Sequence, residues 1–401
     1  MNKAKHILCS VCLIVLCLGL TVTAMALRVG DTVDFVLSTD IRAFINGYEI
    51  PAYNISGRLG VVAEDLLGYG FSVEWNGEAR TLSIRRNEGA AFAPIAVHST
   101  SHAPIGTPIL PVLHTDIVTD FDGETVESFN IDGRTIVYFS ELARYGSHAY
   151  DNDVRMSMVS FDKHAFAKTT IVTLPEKIIH AGGAIHERVG SNSLEALNYS
   201  YSKGQRFIEM DFVLSSDGIP VCLHDWSQFY SNALGSEPIT AEAFSRVRIF
   251  NFYTSVTLDS LVTWLGTHPD VYIVTDIKED NVGVLRQIAQ KHPEIMTRLI
   301  PQIYQYDEYT PVRAMGYSNI ILTLYRLPTY EDKVNVAKNV QFAQKNGLLA
   351  VTADVTLVDP AFAEAFASAG VPLYVHTVND TATQESLRQM GVHGVYTDFA
   401  D

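Results

Sequence analysis

Two carboxylates, Glu209 and Asp211, stand on an otherwise apolar run, FIEMDFVLS, which reads as a strand that should bury itself. They are two positions apart, so the alternation of a strand turns both side chains to the same face. Asp276 ends another apolar run and can complete a trio of oxygen donors. Hard carboxylate oxygens without cysteine or clustered histidine favour Ca²⁺ or Mg²⁺ over Zn²⁺. The alternative is structural, with one or two of these carboxylates in ion pairs or helix caps.

His180 and His224 follow two further apolar runs and are the imidazoles best placed to move protons near neutral pH. One could accept a proton from a nucleophile while the other protonates a leaving group. Lys278 is two residues beyond Asp276 and therefore on the same strand face, where it could oppose the charge of a substrate phosphate. The alternative for this lysine is an ordinary salt bridge to one of the two carboxylates on the FIEMDFVLS run.

The elements that would position these residues begin near Glu176. Eight short apolar runs alternate there with segments of helical period: IIHAGG, FIEMDFVLS, VCLHDW, VYIVTDIK, RLIPQIY, NIILTLYR, LLAVTADV and PLYVHTV. This alternation predicts a (β/α)₈ TIM barrel over residues 177–401, with its chemistry at the carboxyl ends of the strands. Gln302, Tyr325 and His376 also occupy late strand positions, as a barrel mouth requires. A doubly wound open sheet is the competing fold, but no glycine-rich turn supports a nucleotide site.

An internal repeat precedes the barrel. Residues 40–70 align without gaps to residues 116–146, at an offset of 76, and eleven of the 31 positions are identical. Each copy reads as a hairpin around an Asn-Gly or Asp-Gly turn, followed by a short helix and further strands. The predicted organisation is a smaller α+β domain over residues 27–162, with repeats at about 40–86 and 116–161, joined by a linker at 163–176 to the barrel.

The first 26 residues read as a secretory signal peptide, because an apolar run follows two lysines and precedes a small-residue cleavage site. An uncleaved anchor is the alternative. Without the leader the chain keeps one cysteine, Cys222, and so no disulfide. The net charge of −16 argues against nucleic acid as a partner, and no later stretch is long enough for a membrane helix. The expected location is secreted, extracellular or associated with the cell envelope.

The N-terminal region carries the segment FINGYEIPAYNISGRLGVVAEDLLGYGFSVEWN. It resembles the copper amine oxidase N-terminal-like domain of secreted bacterial proteins, over about residues 30–162. The resemblance implies an accessory or wall-associated module. No copper-ligand spacing accompanies it.

The second region carries the ordered motifs HAGG…SNSLEALNYSYSKGQRFIEMDFVLSSDGIPVCLHDW…IVTDIK…VHTVND…GVHGVYTD. From about Ile178 to Phe399 it resembles the glycerophosphodiester phosphodiesterase family, within the wider group of phosphatidylinositol phospholipase C-like barrels. The resemblance implies a role for each matching residue: His180 and His224 as the catalytic histidines, Glu209, Asp211 and Asp276 as ligands of a divalent cation, and Lys278 and Asn192 as substrate-binding residues.

Three positions depart from the family pattern. The usual His-Arg-Gly reads His180-Ala181-Gly182, so Lys278, with Arg188 from the following insertion, is expected to carry the phosphate charge. Asp276 is one methylene shorter than the usual glutamate. His376 replaces a flat apolar wall, usually tryptophan, with a polar one. Trp226, Tyr304 and Tyr325 are further candidates for lining the pocket, with ordinary packing as the alternative.

The predicted function is secreted, metal-dependent hydrolysis of glycerophosphodiesters, derived from lipids or from envelope polymers, to glycerol phosphate and an alcohol. One alternative is phospholipase C- or D-like cleavage of an intact lipid. Another is a non-catalytic barrel that binds the wall or a ligand. Besides the phosphodiester substrate, the expected partner is the cell wall or envelope, contacted through the repeats.

Overall fold

The computed structural model describes residues 27–90, 92–97, 103–152, 155–161, 166, 172–227 and 237–401. The predicted leader and most of the predicted linker lie outside these residues. Within the described part of the chain, no helix is both long and apolar enough to cross a membrane.

The N-terminal domain is built mainly from short strands, and each of the two copies also contains a 3₁₀ helix, at Glu64–Tyr69 and Phe139–Tyr145. Asn-Gly and Asp-Gly turns join β2 to β3 and β9 to β10, as the hairpin signals predict. The strands within the described residues are β1 Thr32–Leu37, β2 Arg42–Ile45, β3 Tyr48–Ile50, β4 Ala52–Ile55, β5 Arg58–Val62, β6 Phe71–Asn76, β7 Thr81–Arg86, β8 Pro108–Leu113, β9 Val118–Phe121, β10 Glu124–Val126, β11 Ser128–Ile131, β12 Arg134–Tyr138, β13 Ser147–Asp151 and β14 Met156–Ser160.

The two repeats interlock. In the described residues β1, β4 and β5 of the first copy and β8, β11 and β12 of the second close into one six-stranded barrel. Strands β6 and β7 pair with β9 and β10, and β2 and β3 pair with β13 and β14, so each flanking sheet draws on both copies. The offset of 76 also relates β1 to β8, which places the start of each copy earlier than residues 40 and 116.

The core of this domain is correspondingly shared. Ile45, Tyr69 and Phe71 of the first copy and Phe121 and Phe139 of the second are buried in one cluster. Neither copy covers this apolar surface alone, because each flanking sheet needs strands from the other.

The second domain is the predicted barrel. Within the described residues, eight parallel strands close into a ring, since the first pairs with both the second and the last. They are β15 Lys177–Ile179, β16 Phe207–Leu214, β21 Tyr272–Ile277, β22 Leu299–Ile303, β23 Ile321–Thr323, β24 Ala350–Asp354, β25 Leu373–His376 and β26 Gly394–Thr397. In the described part of this domain, four short strands lie outside the ring: β17 Pro220–Cys222, β18 Arg248–Ile249, β19 Tyr253–Thr254 and β20 Val256–Thr257. The closed ring excludes the doubly wound open sheet.

One of the eight predicted strands was assigned wrongly. The VCLHDW run supplies β17, which pairs antiparallel with the end of β16 as a hairpin and does not join the ring. The ring is completed by GVYT at β26, which pairs with β25 and β15. The eighth strand was missed because its apolar run is only four residues long.

Helices pack outside the ring, over an apolar layer that includes Leu261, Leu285 and Phe366. Eight of the nine described helices begin after a Ser, Thr, Asp or Asn residue whose side chain accepts a hydrogen bond from a first-turn N–H. They are α1 Leu194–Ser202, α2 Ala241–Phe244, α3 Leu258–Thr267, α4 Asn281–Lys291, α5 Tyr309–Ala314, α6 Tyr330–Val334, α7 Val336–Asn346, α8 Pro360–Ser368 and α9 Thr381–Gln389. Short 3₁₀ helices at His180–Gly182, Pro293–Arg298, Tyr306–Glu308, Leu324–Arg326 and Val355–Leu357 join other elements.

The two domains touch along α4 and α5. The Arg286 guanidinium lies 4.1 Å from the centre of the Tyr48 ring and donates a hydrogen bond to the Gly47 carbonyl at 3.2 Å. Arg313 and Asp151 form a second contact, with nitrogen and oxygen 3.5 Å apart. The first repeat's β2–β3 hairpin therefore contacts the helix that follows β21, the strand that carries Asp276.

Candidate active site

A cavity of about 210 Å³ opens at the carboxyl ends of the barrel strands. Residues two apart on a strand both face the barrel interior, so a strand can contribute an apolar side chain below and a polar one above. Ile178, Val274 and Ile300 belong to the lower apolar cluster. The cavity above them is lined by His180, Glu209, His224, Asp276, Lys278, Gln302, Tyr325, Thr352, His376, Thr377 and Tyr396.

The acidic trio comes together as predicted. One carboxylate oxygen from each of Glu209, Asp211 and Asp276 lies within 4.8 Å of the other two. Glu209 and Asp211 are each only 1% exposed, and Asp211 lies directly beside Asp276 in the pairing of β16 with β21. The alternation of β16 and its parallel register with β21 therefore produce the cluster.

Two groups from the segment between β15 and α1 orient this trio. The Asn192 amide donates to Asp211 Oδ2 at 2.8 Å, and the Asp211 N–H donates to Asn192 Oδ1 at 3.0 Å. The backbone N–H of Ala181 donates to Glu209 Oε2 at 2.7 Å. Asn192 is fully buried and contacts a carboxylate of the trio, so its place is behind the acidic cluster and not on the cavity wall.

Lys278 reaches back into the trio. Its ammonium lies 2.7 Å from Asp211 Oδ1 and 2.7 Å from Asp276 Oδ2. The Tyr304 and Tyr325 hydroxyls donate to Asp276 from the other side. The salt bridge considered as the alternative for Lys278 is thus present, and the same ammonium also lines the cavity.

His180 is held by a carboxylate from the last barrel strand. Its Nδ1 lies 2.8 Å from Asp398 Oδ1, and its Nε2 lies 4.0 Å from Glu209 Oε2. Asn379 fixes Asp398 in turn, donating to Oδ2 at 2.6 Å and accepting from the Asp398 N–H at 2.8 Å. With Nδ1 engaged, Nε2 is the nitrogen that faces the acidic trio.

His224 arrives by a different route. The β16–β17 hairpin returns the chain to the barrel mouth, where the Leu223 N–H donates to the Asp211 carbonyl at 3.1 Å. His224 is half exposed, and its Nδ1 lies 2.6 Å from Asp225 Oδ2. Both histidines therefore have a carboxylate at Nδ1.

Burial and crowded charge shift the titration of these groups. Burial raises the pKa of Glu209 to about 8, and the charge of Asp211 adds to the effect. Burial would lower the pKa of His180, but the Asp398 hydrogen bond and the nearby carboxylates raise it to about 9. Burial would raise the pKa of Asp276, but the Lys278 ammonium holds it below its ordinary value.

The trio fits a divalent cation. Glu209 Oε1 is buried and has no hydrogen-bond partner among the described residues, which leaves a hard oxygen donor available to a cation. Oxygen ligands bind Mg²⁺ at about 2.0–2.1 Å and Ca²⁺ at about 2.3–2.6 Å, so ligands of one ion lie within roughly 4–5 Å of one another. The 4.8 Å limit of this cluster is compatible with that spacing.

Of the remaining predicted site residues, some line the cavity and others lie away from it. Gln302, Tyr325 and His376 line the cavity together with the histidines and Lys278. Arg188 is exposed in the loop after the first strand, with its guanidinium 5.3 Å from the Phe250 ring, and is not among the described residues of the cavity wall. Trp226 packs on Phe244 and donates to a main-chain carbonyl, which is the packing alternative.

Asp398 and Asn379 are the functional residues that sequence reasoning missed. Asp398 follows β26, the strand that was not recognised, and Asn379 lies three residues beyond β25. The signal was present in the sequence, because the GVYTD run ends in a carboxylate just as IVTD does. Thr352 and Tyr396 of the cavity wall were also missed. Both are uncharged, whereas the predictions at the strand ends relied mainly on charged residues and histidines.

Comparison with known proteins bears on the second domain. The model of the glycerophosphoryl diester phosphodiesterase family matches residues 180–242 and 267–401. No curated protein matches the chain. The N-terminal repeats lie outside the family match, so their resemblance to the copper amine oxidase-like domain stays a prediction.

Solved structures similar to the chain include three phosphodiesterases. The Oleispira antarctica phosphodiesterase in complex with the product sn-glycerol-3-phosphate is 17% identical, with TM-score 0.46, over 57% of this chain and 94% of that one. A glycerophosphodiester phosphodiesterase from Parabacteroides distasonis is 17% identical, with TM-score 0.45, over 56% and 93%. One from Thermotoga maritima is 19% identical, with TM-score 0.45, over 57% and 96%.

The closed parallel barrel, with its polar mouth and its match to the family model, defines the second domain as a phosphodiesterase. It belongs to the glycerophosphoryl diester phosphodiesterase family.

Proposed function

We propose that the protein is an exported, cation-dependent phosphodiesterase that hydrolyses glycerophosphodiesters to glycerol phosphate and an alcohol. The observation that carries the proposal is the pair of histidines at one cavity, each with a carboxylate at Nδ1, beside three carboxylates that fit a divalent cation. The family of the barrel supports the substrate class.

His180 and His224 are the groups we assign to proton transfer. A histidine whose Nδ1–H is held by a carboxylate keeps a fixed orientation and gives or takes its proton at Nε2. Asp398 provides this support to His180, and Asp225 provides it to His224. One histidine accepts the proton of the nucleophile and the other protonates the departing alcohol, so the proton count balances over the cycle.

Glu209, Asp211 and Asp276 would hold Ca²⁺ or Mg²⁺, which would polarise a phosphoryl oxygen and favour deprotonation of the nucleophile. Lys278 opposes the negative charge that develops on the phosphoryl oxygens. Among the described residues that line the cavity, Lys278 is the only lysine or arginine, because Arg188 lies beside Phe250. Lys278 would thus supply the positive charge that the family's usual arginine provides, because this chain has Ala181 at that position.

The predicted leader at residues 1–26 supports an extracellular or envelope location, which would bring deacylated phospholipids or glycerophosphate polymers within reach. The interlocked repeats would then tether or space the barrel at the cell wall.

The deciding experiment is hydrolysis of sn-glycero-3-phosphocholine by the purified protein with Ca²⁺ or Mg²⁺, and after chelation. We expect chelation to abolish turnover, and His180→Ala and His224→Ala each to lower kcat by about 10²-fold or more, the typical contribution of a general acid or base. The matched control is His393→Ala, because His393 is exposed at the opposite end of the barrel.

Turnover that survives chelation would contradict the cation assignment even if both histidines proved essential. Full activity of either histidine variant would contradict the acid–base assignment. Faster cleavage of intact phosphatidylinositol or phosphatidylcholine would favour the phospholipase interpretation, and binding of these compounds without turnover would favour the non-catalytic one.

A further inference from the structure

His376 presents an unused polar atom to the catalytic cavity. It ends β25 and lines the cavity, yet its Nε2 is buried and has no hydrogen-bond partner among the described residues. The ring packs edge-on to Tyr325, with ring centres 5.1 Å apart, so packing holds the ring in place while its nitrogen stays unpaired. An unpaired polar atom at such a position costs free energy unless a ligand or water completes it.

The surroundings of His376 suit a neutral group better than a phosphate. In the pairing of β24 with β25, His376 lies directly beside Asp354, an anion that a phosphate would avoid. Burial lowers the pKa of His376, so the ring is neutral near pH 7 and adds no attraction for an anion. A neutral imidazole nitrogen can donate or accept according to its tautomer, and a hydroxyl group can do both.

The floor of the cavity has the same character. Gln302 is buried, and its Oε1 accepts hydrogen bonds from the hydroxyls of Thr323 and Tyr396, which leaves the amide nitrogen as the group available to the cavity. Thr352 lies on the same floor. These groups are uncharged and hydrogen-bonding, whereas an alkyl or acyl chain requires an apolar wall.

The ring geometry separates the two ends of the site. Strand β25 is the seventh of the eight ring strands and β21 is the third, so His376 and Lys278 approach the cavity from opposite sides. If the phosphate of a small substrate contacts Lys278, the glycerol joined to it would extend across the cavity toward His376. We propose that His376 hydrogen-bonds a hydroxyl of the phosphate-linked polyol and thereby selects hydroxylated over alkyl phosphoesters, an inference that rests on the proposed function.

Binding of two product-sized ligands tests this without involving the chemical step. We would measure sn-glycerol 3-phosphate and propyl phosphate, which lacks both hydroxyls, by calorimetry with Ca²⁺ or Mg²⁺ present. The wild-type protein is expected to bind the glycerol compound about tenfold tighter, the usual effect of one well-placed hydrogen bond. His376→Phe should remove this difference by weakening glycerol 3-phosphate alone.

Two further variants keep the result interpretable. His376→Gln retains a donor and an acceptor and should preserve most of the preference, which excludes loss of folding as the cause. His393→Phe makes the same replacement at the opposite end of the barrel and should leave both affinities unchanged. A similar Tm for all variants confirms that the fold is intact.

The inference is overturned if His376→Phe leaves the preference unchanged, or weakens both ligands equally as a purely structural residue would. Hydrolysis of sn-glycero-3-phosphocholine by the same wild-type preparation separates the two proposals. Turnover without any effect of His376 on the preference overturns only the selectivity, whereas absence of turnover with either cation overturns the proposed function.

Discussion

The carboxylate that supports His180 comes from the far end of the chain, 218 residues away. Asp398 is not among the described residues that line the cavity, so we assign it as a positioning residue. Its carboxylate would fix the ring and favour the tautomer with the proton on Nδ1. Asn379 holds it at both the side chain and the main chain. The active site therefore extends one layer beyond the cavity wall.

Asp398→Asn tests that support. The amide keeps the shape but can present its NH₂ to Nδ1, which favours the wrong tautomer, so we expect kcat to fall by at least about tenfold with KM little changed. The pH dependence of kcat should shift as well, because the charge that raises the pKa of His180 is removed. Asp380→Asn is the control, since Asp380 is a nearby carboxylate that only caps α9. A loss that appears solely in KM would argue against the positioning role.

Glu209 makes stability depend on pH when no cation is bound. Its pKa is raised in the folded state to about 8, so between pH 4.5 and 8 the unfolded chain gives up this proton first, and stability falls as the pH rises. In chelator we expect the wild type to lose up to a few kcal/mol over this window relative to Glu209→Gln, which carries no charge to bury. Urea unfolding at pH 5 and pH 8 measures the difference.

Added Ca²⁺ or Mg²⁺ should restore wild-type stability at pH 8 and have little effect on Glu209→Gln. Parallel pH profiles of the two proteins in chelator would show that the Glu209 carboxyl titrates normally in the folded state.

At the scale of elements, the ends of the barrel strands position the site residues, and capped helix N-termini stabilise the loops that follow. The chain leaves β21 through Asp276 and Lys278 and enters α4 at once, with the Asp280 side chain accepting from the Gly283 N–H at 3.2 Å. This cap satisfies one of the free N–H groups at the start of the helix. The short loop that carries Lys278 is thus held between strand β21 and the capped start of α4.

Two glycines give a matched test of that cap. A Cβ added at Gly283 would lie 2.0 Å from Asp280 Oδ2, whereas one added at Gly266 in α3 would meet nothing within 4 Å. We expect Gly266→Ala to raise the free energy of unfolding by up to about 1 kcal/mol through helix propensity. Gly283→Ala should lower it, because displacing the cap costs about 0.5–2 kcal/mol. Equal effects in urea unfolding would show that the cap contributes nothing.

At the scale of the whole molecule, the N-terminal repeats form one folding unit. The six-stranded barrel takes three strands from each copy, and both flanking sheets are mixed. An isolated copy would leave β2 without β14 and β7 without β9, exposing edges and the shared aromatic core. The pseudo-symmetry therefore does not imply that the copies are independent.

A fragment of residues 27–97 should be unfolded as a monomer, whereas residues 27–161 should unfold cooperatively on heating. Circular dichroism and analytical ultracentrifugation together distinguish these states. Because the copies are alike, two fragments could supply each other's missing strands, and a folded dimer would agree with the interlocked arrangement. A folded monomer of 27–97 would contradict it.

The sequence by itself determined the alternation of strands and helices, the repeat, the acidic trio and the two histidines. These features are local: strand period turns Glu209 and Asp211 to one face, and apolar runs ending in charge mark strand ends at a barrel mouth. The prediction of a barrel was correct although it counted the β17 run as a ring strand and missed β26. The fold is indicated by the whole series of alternating strands and helices, so one wrong strand does not change it.

Only the tertiary structure decided which distant groups meet. Asp398 reaches His180 because the ring closes between the last strand and the first, and local periodicity contains no information on that closure. The exchange of strands between repeats, the place of Asn192 behind Asp211 and the unpaired nitrogen of His376 are likewise consequences of long-range packing. Each depends on contacts between segments far apart in the chain, where steric fit and burial select one partner among many chemically similar ones.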